Sequence, residues 1–332
     1  MQKPDVQVRN DDRIRLLGTL LALTDFSEQA QAEKRHQPHA HARATSKRFR
    51  EARLDQHPAV VALQIMLDKN TPLEALFTLI VHFTQVPDLR VSALPKWTPS
   101  DWDKALIDFY KKANLEAYWQ QESMVWDPAI EQATQVFQDA QIKTFLRPFL
   151  GTIKEELVFV PNLLYPADRE IGVRTADSVI AITPPPLAWG ESPPWPYNEE
   201  TFYAHSYRAA ISQFSSHLLK SYLRRHQAEV LEASKKEIPV GEKFRAIHRS
   251  WEEQFIALFT TAIVAIYLED HISESEARAF VMMEKKAKGL QILPGTVSVL
   301  RRYQSEVGNR YRDLIDYLPH FPGQLRIAKR FL

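Results

Sequence analysis

Cysteine is absent from the 332 residues. That removes disulfides, thiolate nucleophiles, zinc ribbons and iron–sulfur ligation together, and leaves His, Asp and Glu as the side chains able to hold a metal. Glycine is scarce, at 9 residues, and neither a GxGxxG nor a GxxxxGKS/T loop occurs, so nucleotide binding through such loops is not indicated. A GxSxG nucleophile elbow is also missing, which disfavours one common class of hydrolase. An excess of either charge is lacking too: 42 basic against 41 acidic side chains leave a net +1, and no whole-molecule field draws the chain to nucleic acid or an anionic membrane. The longest apolar stretch, Phe255 to Leu268, is interrupted by Thr260 and Thr261 and falls short of the roughly 18 residues a membrane span needs. Leu16 to Leu23 follows Asp11, Asp12, Arg13 and Arg15 too closely for a signal-peptide core. The chain therefore reads as soluble and cytoplasmic, without membrane or nucleic-acid partners.

What is present is enough to fold. With 45% hydrophobic and 25% charged residues, the chain can bury a large core. Helical periodicity predicts a first amphipathic helix over 11–34, broken near Thr24, and further helices over 42–55, 58–68, 72–83, 100–122 and 127–148. Pro58, Asn70, Pro87 and Pro95 punctuate them. After Gly151 the pattern changes: 156–161 and 172–183 are rich in apolar and β-branched residues and predict two or three strands. Pro184 to Tyr197 contains six prolines with Trp189 and Trp195, a composition for an extended loop. Helices resume over 198–226, 240–270, 274–288 and 295–317. The predicted class is mostly α with a small β-sheet, divided into an N-terminal helical region, 1–150, and a region 151–332 holding the sheet and C-terminal helices.

The order of these pieces, with Thr201-Phe-Tyr-Ala-His205-Ser-Tyr207 on one helix and Trp251-Glu252-Glu253 opening another, resembles a bacterial domain-of-unknown-function family of HExxH, gluzincin-like zinc metallopeptidases. Asp12-Arg13-Ile14-Arg15-Leu16-Leu17, His57-Pro58-Ala59-Val60, Phe109-Tyr110, Tyr118-Trp119 and Asn309-Arg310-Tyr311 extend the likeness over most of the chain. The resemblance implies a zincin-like arrangement in which the sheet and the helix at 198–226 frame a cleft. It places the family's second His on His205, its first His on Thr201, its general-base Glu on Phe202, and its third ligand on Glu253, or Glu252 one residue out of register. Catalytic zinc needs three protein ligands, and a phenylalanine cannot take a proton from zinc-bound water. The motif is degenerate, and the expectation is an inactive metallopeptidase-like protein, without zinc, whose cleft binds a peptide or protein segment. Two alternatives are an active zinc enzyme with substituted ligands, His205, His248 and Glu252, and a helical interaction protein.

Other features have plainer readings. Arg35-His36-Gln-Pro-His39-Ala-His41 reads as a solvated connection rather than a metal tract, and the basic residues from Lys34 to Arg53 as a solvated helix face. Glu199 and Glu200 suit a helix N-terminus, and Lys220, Arg224 and Arg225 a helix C-terminus. Trp97, Trp102, Tyr118 and Trp119 read as core aromatics rather than a stacking platform.

Overall fold

The structure, a computed structural model, describes residues 4–33, 40–186, 196–199 and 203–325. The chain is mostly helical with a small mixed sheet and divides into two compact units. The first unit is built from Val6–Asp139 and the strands from Glu156 onward, the second from Ala140–Glu155 and from Tyr203 onward.

The first unit opens with β1 (Val6–Val8), followed by α1 (Asp12–Leu21), α2 (Asp25–Glu33), α3 (Ala40–Glu51), α4 (Pro58–Asp68), α5 (Leu73–Val81), α6 (Trp102–Lys112), α7 (Leu115–Gln121) and α8 (Ser123–Phe137). It closes with β2 (Glu156–Pro161), β3 (Ile171–Arg174) and β4 (Ser178–Thr183). The strands are ordered β1-β2-β4-β3. β1 runs parallel to β2, Val6 facing Leu157, and β2 parallel to β4, Glu156 facing Ser178, while β3 is antiparallel to β4, Ile171 facing Ile182. β2 and β4 are buried almost throughout, as near-continuous apolar strands are when both sheet faces are covered. Val158, Val160, Ile180 and Ile182 join the core built on Leu16, Leu17, Leu20, Leu63, Leu76 and Phe77. On the alternate face Phe159 meets Phe137 of α8, ring centroids 4.7 Å apart.

α1 is the pivot of this unit, buried from Ile14 through Leu21. The Asp11 side chain caps it by accepting from the Arg13 amide, and Asp11 also grips the Arg13 guanidinium at 2.6 and 2.9 Å. Arg13 then donates to the carbonyls of Val81 and Phe83 at 2.6 and 2.8 Å, closing the end of α5, where carbonyls otherwise lack partners. Gly18 lets the helix approach the loop after β2: a Cβ there would lie 3.0 Å from Leu164 Cβ. Gly18→Val is therefore expected to cost about 2 kcal/mol through overpacking. Urea unfolding measures this, and wild-type stability in the variant would mean that the loop yields freely.

The second unit comprises α9 (Ile142–Leu150), α10 (Tyr203–Arg224), α11 (Gln227–Ala233), α12 (Glu242–Ile247), α13 (Trp251–His271), α14 (Glu274–Lys288), α15 (Leu293–Glu306), α16 (Leu314–Tyr317) and α17 (Phe321–Gln324). α13 is its centre. At 21 residues with mean hydropathy 1.2 it is the helix, among those described, that is long and apolar enough to cross a membrane. It is 67% buried within the protein, as expected of a core helix that is apolar all round.

This division differs from the 1–150 and 151–332 reading. The strands at 156–183 belong with the N-terminal helices because β1 pairs with β2, while α9 belongs with the C-terminal helices. The helix predicted over 100–122 breaks at Asn114, which adopts a left-handed φ of 48°, and the one over 127–148 breaks between Phe137 and Ile142. The stretch 240–270 also divides, into α12 and α13, and 295–317 into α15 and α16.

Candidate functional site

Among the described residues, those singled out by the metallopeptidase resemblance do not assemble. Thr201 and Phe202 lie outside the described residues, as do His36, His39, Trp189, Trp195 and Glu200. His205 sits half-buried in the first turn of α10, and two residues on, Tyr207 meets Tyr267 near the far end of α13, ring centroids 5.3 Å apart. At the opposite end, Phe255 in the first turns of α13 contacts Phe321 at 4.9 Å. Phe321 adjoins Tyr317 and, through it, Tyr303, which lies near enough to Tyr222, close to the end of α10, for ionisation of one phenol to oppose that of the other. The two helices are therefore antiparallel. Glu253 precedes Tyr267 by roughly four turns, about 21 Å of helix, so His205 and Glu253 stand at opposite ends of the pair. The direction of α13 carries the Glu253 carboxylate away from His205. The sheet and α10 belong to different units. Among the described residues no group of three His, Asp or Glu side chains can hold a metal ion, which includes the alternative set His205, His248 and Glu252.

Glu253 and His248 have local work instead. Ser250 Oγ accepts from the Glu253 amide at 3.1 Å and Glu253 Oε2 accepts from the Ser250 amide at 3.1 Å, a capping box that starts α13. Donation from Ser250 holds the Glu253 carboxyl below its ordinary range. His248 ends α12 with its ring 4.5 Å from Phe244, and burial pulls its pKa down. Because glutamine serves a capping box as well as glutamate, Glu253→Gln is expected to keep most of the stability, while Ser250→Ala costs about 1 kcal/mol. Thermal unfolding of both variants tests this; a greater loss in Glu253→Gln would assign that carboxylate another task.

The first unit holds a different constellation. α7 and α8 continue one another through Glu122, whose amide donates to Tyr118 O and whose carbonyl accepts from the Trp126 amide. Trp119, Glu122 and Trp126 thus fall on successive turns of one face. That face receives Arg15 of α1: its guanidinium carbon lies 5.0 Å from the Trp119 ring centre and 4.4 Å from that of Trp126. Arg15 is only 5% exposed, Trp119 7% and Trp126 3%. α3 closes the side. Thr45 Oγ1 and Tyr118 Oη are hydrogen-bonded at 3.0 Å, Arg48 lies over the Tyr118 ring at 4.6 Å, and His41 packs edge-on to Trp126.

Four buried polar atoms here have no hydrogen-bond partner among the described residues: Arg15 Nη2, Trp119 Nε1, Trp126 Nε1 and Glu122 Oε2. His41 Nδ1 stands 2.9 Å from Glu122 Oε2 but off the line of a hydrogen bond. Burial dominates the electrostatics. It lowers Arg15 to about 10 against the pull of Asp12, Glu122 and Asp127, and lowers His41 to about 4 with help from the Arg15 charge. It raises the carboxyls of Asp12 and Glu122, despite Arg15 nearby. Buried polar groups are ordinarily satisfied, and leaving one unmade costs about 1–3 kcal/mol, more for a charge. Four such atoms surround one cationic side chain. Tyr118 and Trp119 do lie in the core; Arg48, exposed on α3, lays its guanidinium over the Tyr118 ring.

No family model, no curated protein and no solved structure matches the chain.

Proposed function

We propose that the chain is a binding protein whose first unit holds a small carboxylate-bearing molecule in the Arg15 pocket. The observation that carries this reading is a set of three buried donors, Arg15 Nη2 and the indole N–H groups of Trp119 and Trp126, without an acceptor among the described residues. A carboxylate accepts several hydrogen bonds at once, and those from a guanidinium are charge-assisted and short. The indole rings stacked on the guanidinium hold its planar fork in place, so little freedom is lost when the ligand arrives. α1, which carries the arginine, is itself locked through Arg13, so the site stands on a rigid element.

Hydrolysis by a zinc centre finds no support in the positions of His205, Glu252 and Glu253. The zincin-like cleft and its peptide partner likewise find none among the described residues, so the binding role moves to the first unit. Differential scanning fluorimetry against a panel of small carboxylates, amino acids among them, with phosphate and sulfate as anion controls, tests the proposal. At least one carboxylate should raise the melting temperature of wild type and not of Trp126→Phe, which keeps a ring but removes one donor. Equal responses in the two proteins, or none to any carboxylate, would overturn it.

A further inference from the structure

The Arg15 site presents both signs of charge, and no hydrogen bond joins Arg15 Nη2 to Glu122 Oε2. Arg15 is stacked against Trp119 and Trp126, the residues one turn either side of Glu122, which sets the guanidinium level with the Glu122 carboxylate on the same helical face. The two groups attract one another, yet Arg15 Nη2 and Glu122 Oε2 are each without a hydrogen bond among the described residues. Opposite charges facing each other unbonded in a buried site leave both desolvated, an arrangement that costs several kcal/mol unless something lies between them.

The chemistry of that occupant follows from the groups that face it. A simple anion would satisfy Arg15 and the indoles but would leave Glu122 Oε2 buried, unbonded and repelled. A simple cation would reverse the fault. His41, although 2.9 Å from Glu122 Oε2, is held neutral by burial and by the Arg15 charge and does not supply the missing cation. Asp12 already accepts from Asn10 Nδ2 at 3.2 Å; Tyr118 donates to the Glu122 carboxyl and the Arg48 charge acts on it, yet neither supplies a hydrogen bond to Oε2. Glu122 is thus the acceptor left for a donor brought from outside.

Taking the carboxylate-binding reading of this pocket as its basis, we infer that the ligand is a zwitterion, an α- or β-amino acid, with its carboxylate on Arg15 and the two indole N–H groups and its ammonium on Glu122 Oε2. A short spacing between the ligand's charges matches an arginine and a glutamate that stand level across one turn of helix. Ligand binding then completes two buried charges at once, and each half of the ligand raises the affinity for the other by removing a desolvated neighbour.

The test is isothermal titration of the full chain with the L-α-amino acids and β-alanine, each beside its deamino acid and its N-acetyl derivative. One amino acid should bind at least tenfold more tightly than both of its derivatives. Glu122→Gln should remove that tenfold preference, weakening the amino acid and tightening the deamino acid, whose carboxylate no longer shares the site with a buried like charge. If deamino and N-acetyl acids bind as tightly as the parent, or Glu122→Gln weakens all three alike, the zwitterion inference fails and carboxylate binding stands. If no acid of any kind binds, the inference and the carboxylate reading fall together, and the pocket holds buried water only.

Discussion

Arg15→Met is expected to weaken the binding of carboxylate ligands at least tenfold while leaving the ligand-free protein within about 1 kcal/mol of wild-type stability. The two halves of this expectation have different causes. A carboxylate held by a buried guanidinium loses its main charge-assisted donor, and truncating one member of such a pair costs about 2–5 kcal/mol of binding. In the free protein the same arginine is a mixed asset. Its two aromatic contacts contribute about 1–2 kcal/mol each, but its charge is buried, and burial overcomes Asp12, Glu122 and Asp127 in setting its pKa at about 10. Methionine fills a similar volume, makes favourable sulfur contacts with indole rings, and carries no charge to desolvate. An arginine whose task was to hold the helices together would behave otherwise, since removing one side of a structural buried ion pair costs about 3–5 kcal/mol. Urea unfolding of the ligand-free proteins, beside titration of each with the tightest carboxylate found, separates the cases. A loss of 3 kcal/mol or more without ligand, at the cost range given for structural pairs, would make Arg15 a strut rather than a binding group.

Most helices were legible in the sequence, because an amphipathic stripe bounded by Pro or Asn is a local signal. The break near Thr24, α4 from Pro58 and α14 to Lys288 fall where periodicity predicts. β1 was not legible: Val6–Val8 spans three residues, too few to show alternation, and it becomes a strand only by pairing with β2 far along the chain. The sheet's order and the division of the chain into units follow from that long-range pairing. The site was hidden for a related reason. An arginine within a helical pattern ordinarily marks the solvent face, yet α1 is buried from Ile14 to Leu21, and nothing local announces that. A signal did exist, in Trp119, Glu122 and Trp126 on successive turns beside the Asp12-Arg13-Ile14-Arg15 run, but reading it requires knowing that α1 and α7–α8 touch. For His205 and Glu253 sequence spacing does not carry helix direction. Two helices joined by a long connection can pack either way, and here the aromatic contacts of Tyr207 with Tyr267 and Phe255 with Phe321 fix the antiparallel choice.

The pocket should also make the protein sensitive to acid through His41. Its side chain is only 10% exposed, and burial, with the Arg15 charge second, lowers its pKa from 6.5 to about 4. The folded state thus prefers the neutral ring, and between those two values the unfolded chain binds more protons than the folded one. Stability from this group is complete above about pH 6.5 and is lost as the pH falls toward 4, an amount of about 3 kcal/mol. Glu122 lies 2.9 Å from the ring and the Arg15 charge acts on it, with Asp12 beside Arg15. The two carboxyls are raised by burial, so the folded state protonates them more readily and they act in the opposite direction; Arg15 stays protonated throughout this range. His57 is also lowered by burial, but it titrates alike in any variant that leaves it in place, so a difference between proteins isolates His41. His41→Gln keeps a polar, helix-compatible side chain and cannot titrate. Urea unfolding at pH 7 and pH 4 should show wild type losing about 3 kcal/mol more than His41→Gln over that interval. Equal losses would mean that the ring is reached by water and protonates freely in the folded protein. The pocket would then be open to solvent, and the desolvated charges on which the binding reading depends would not exist.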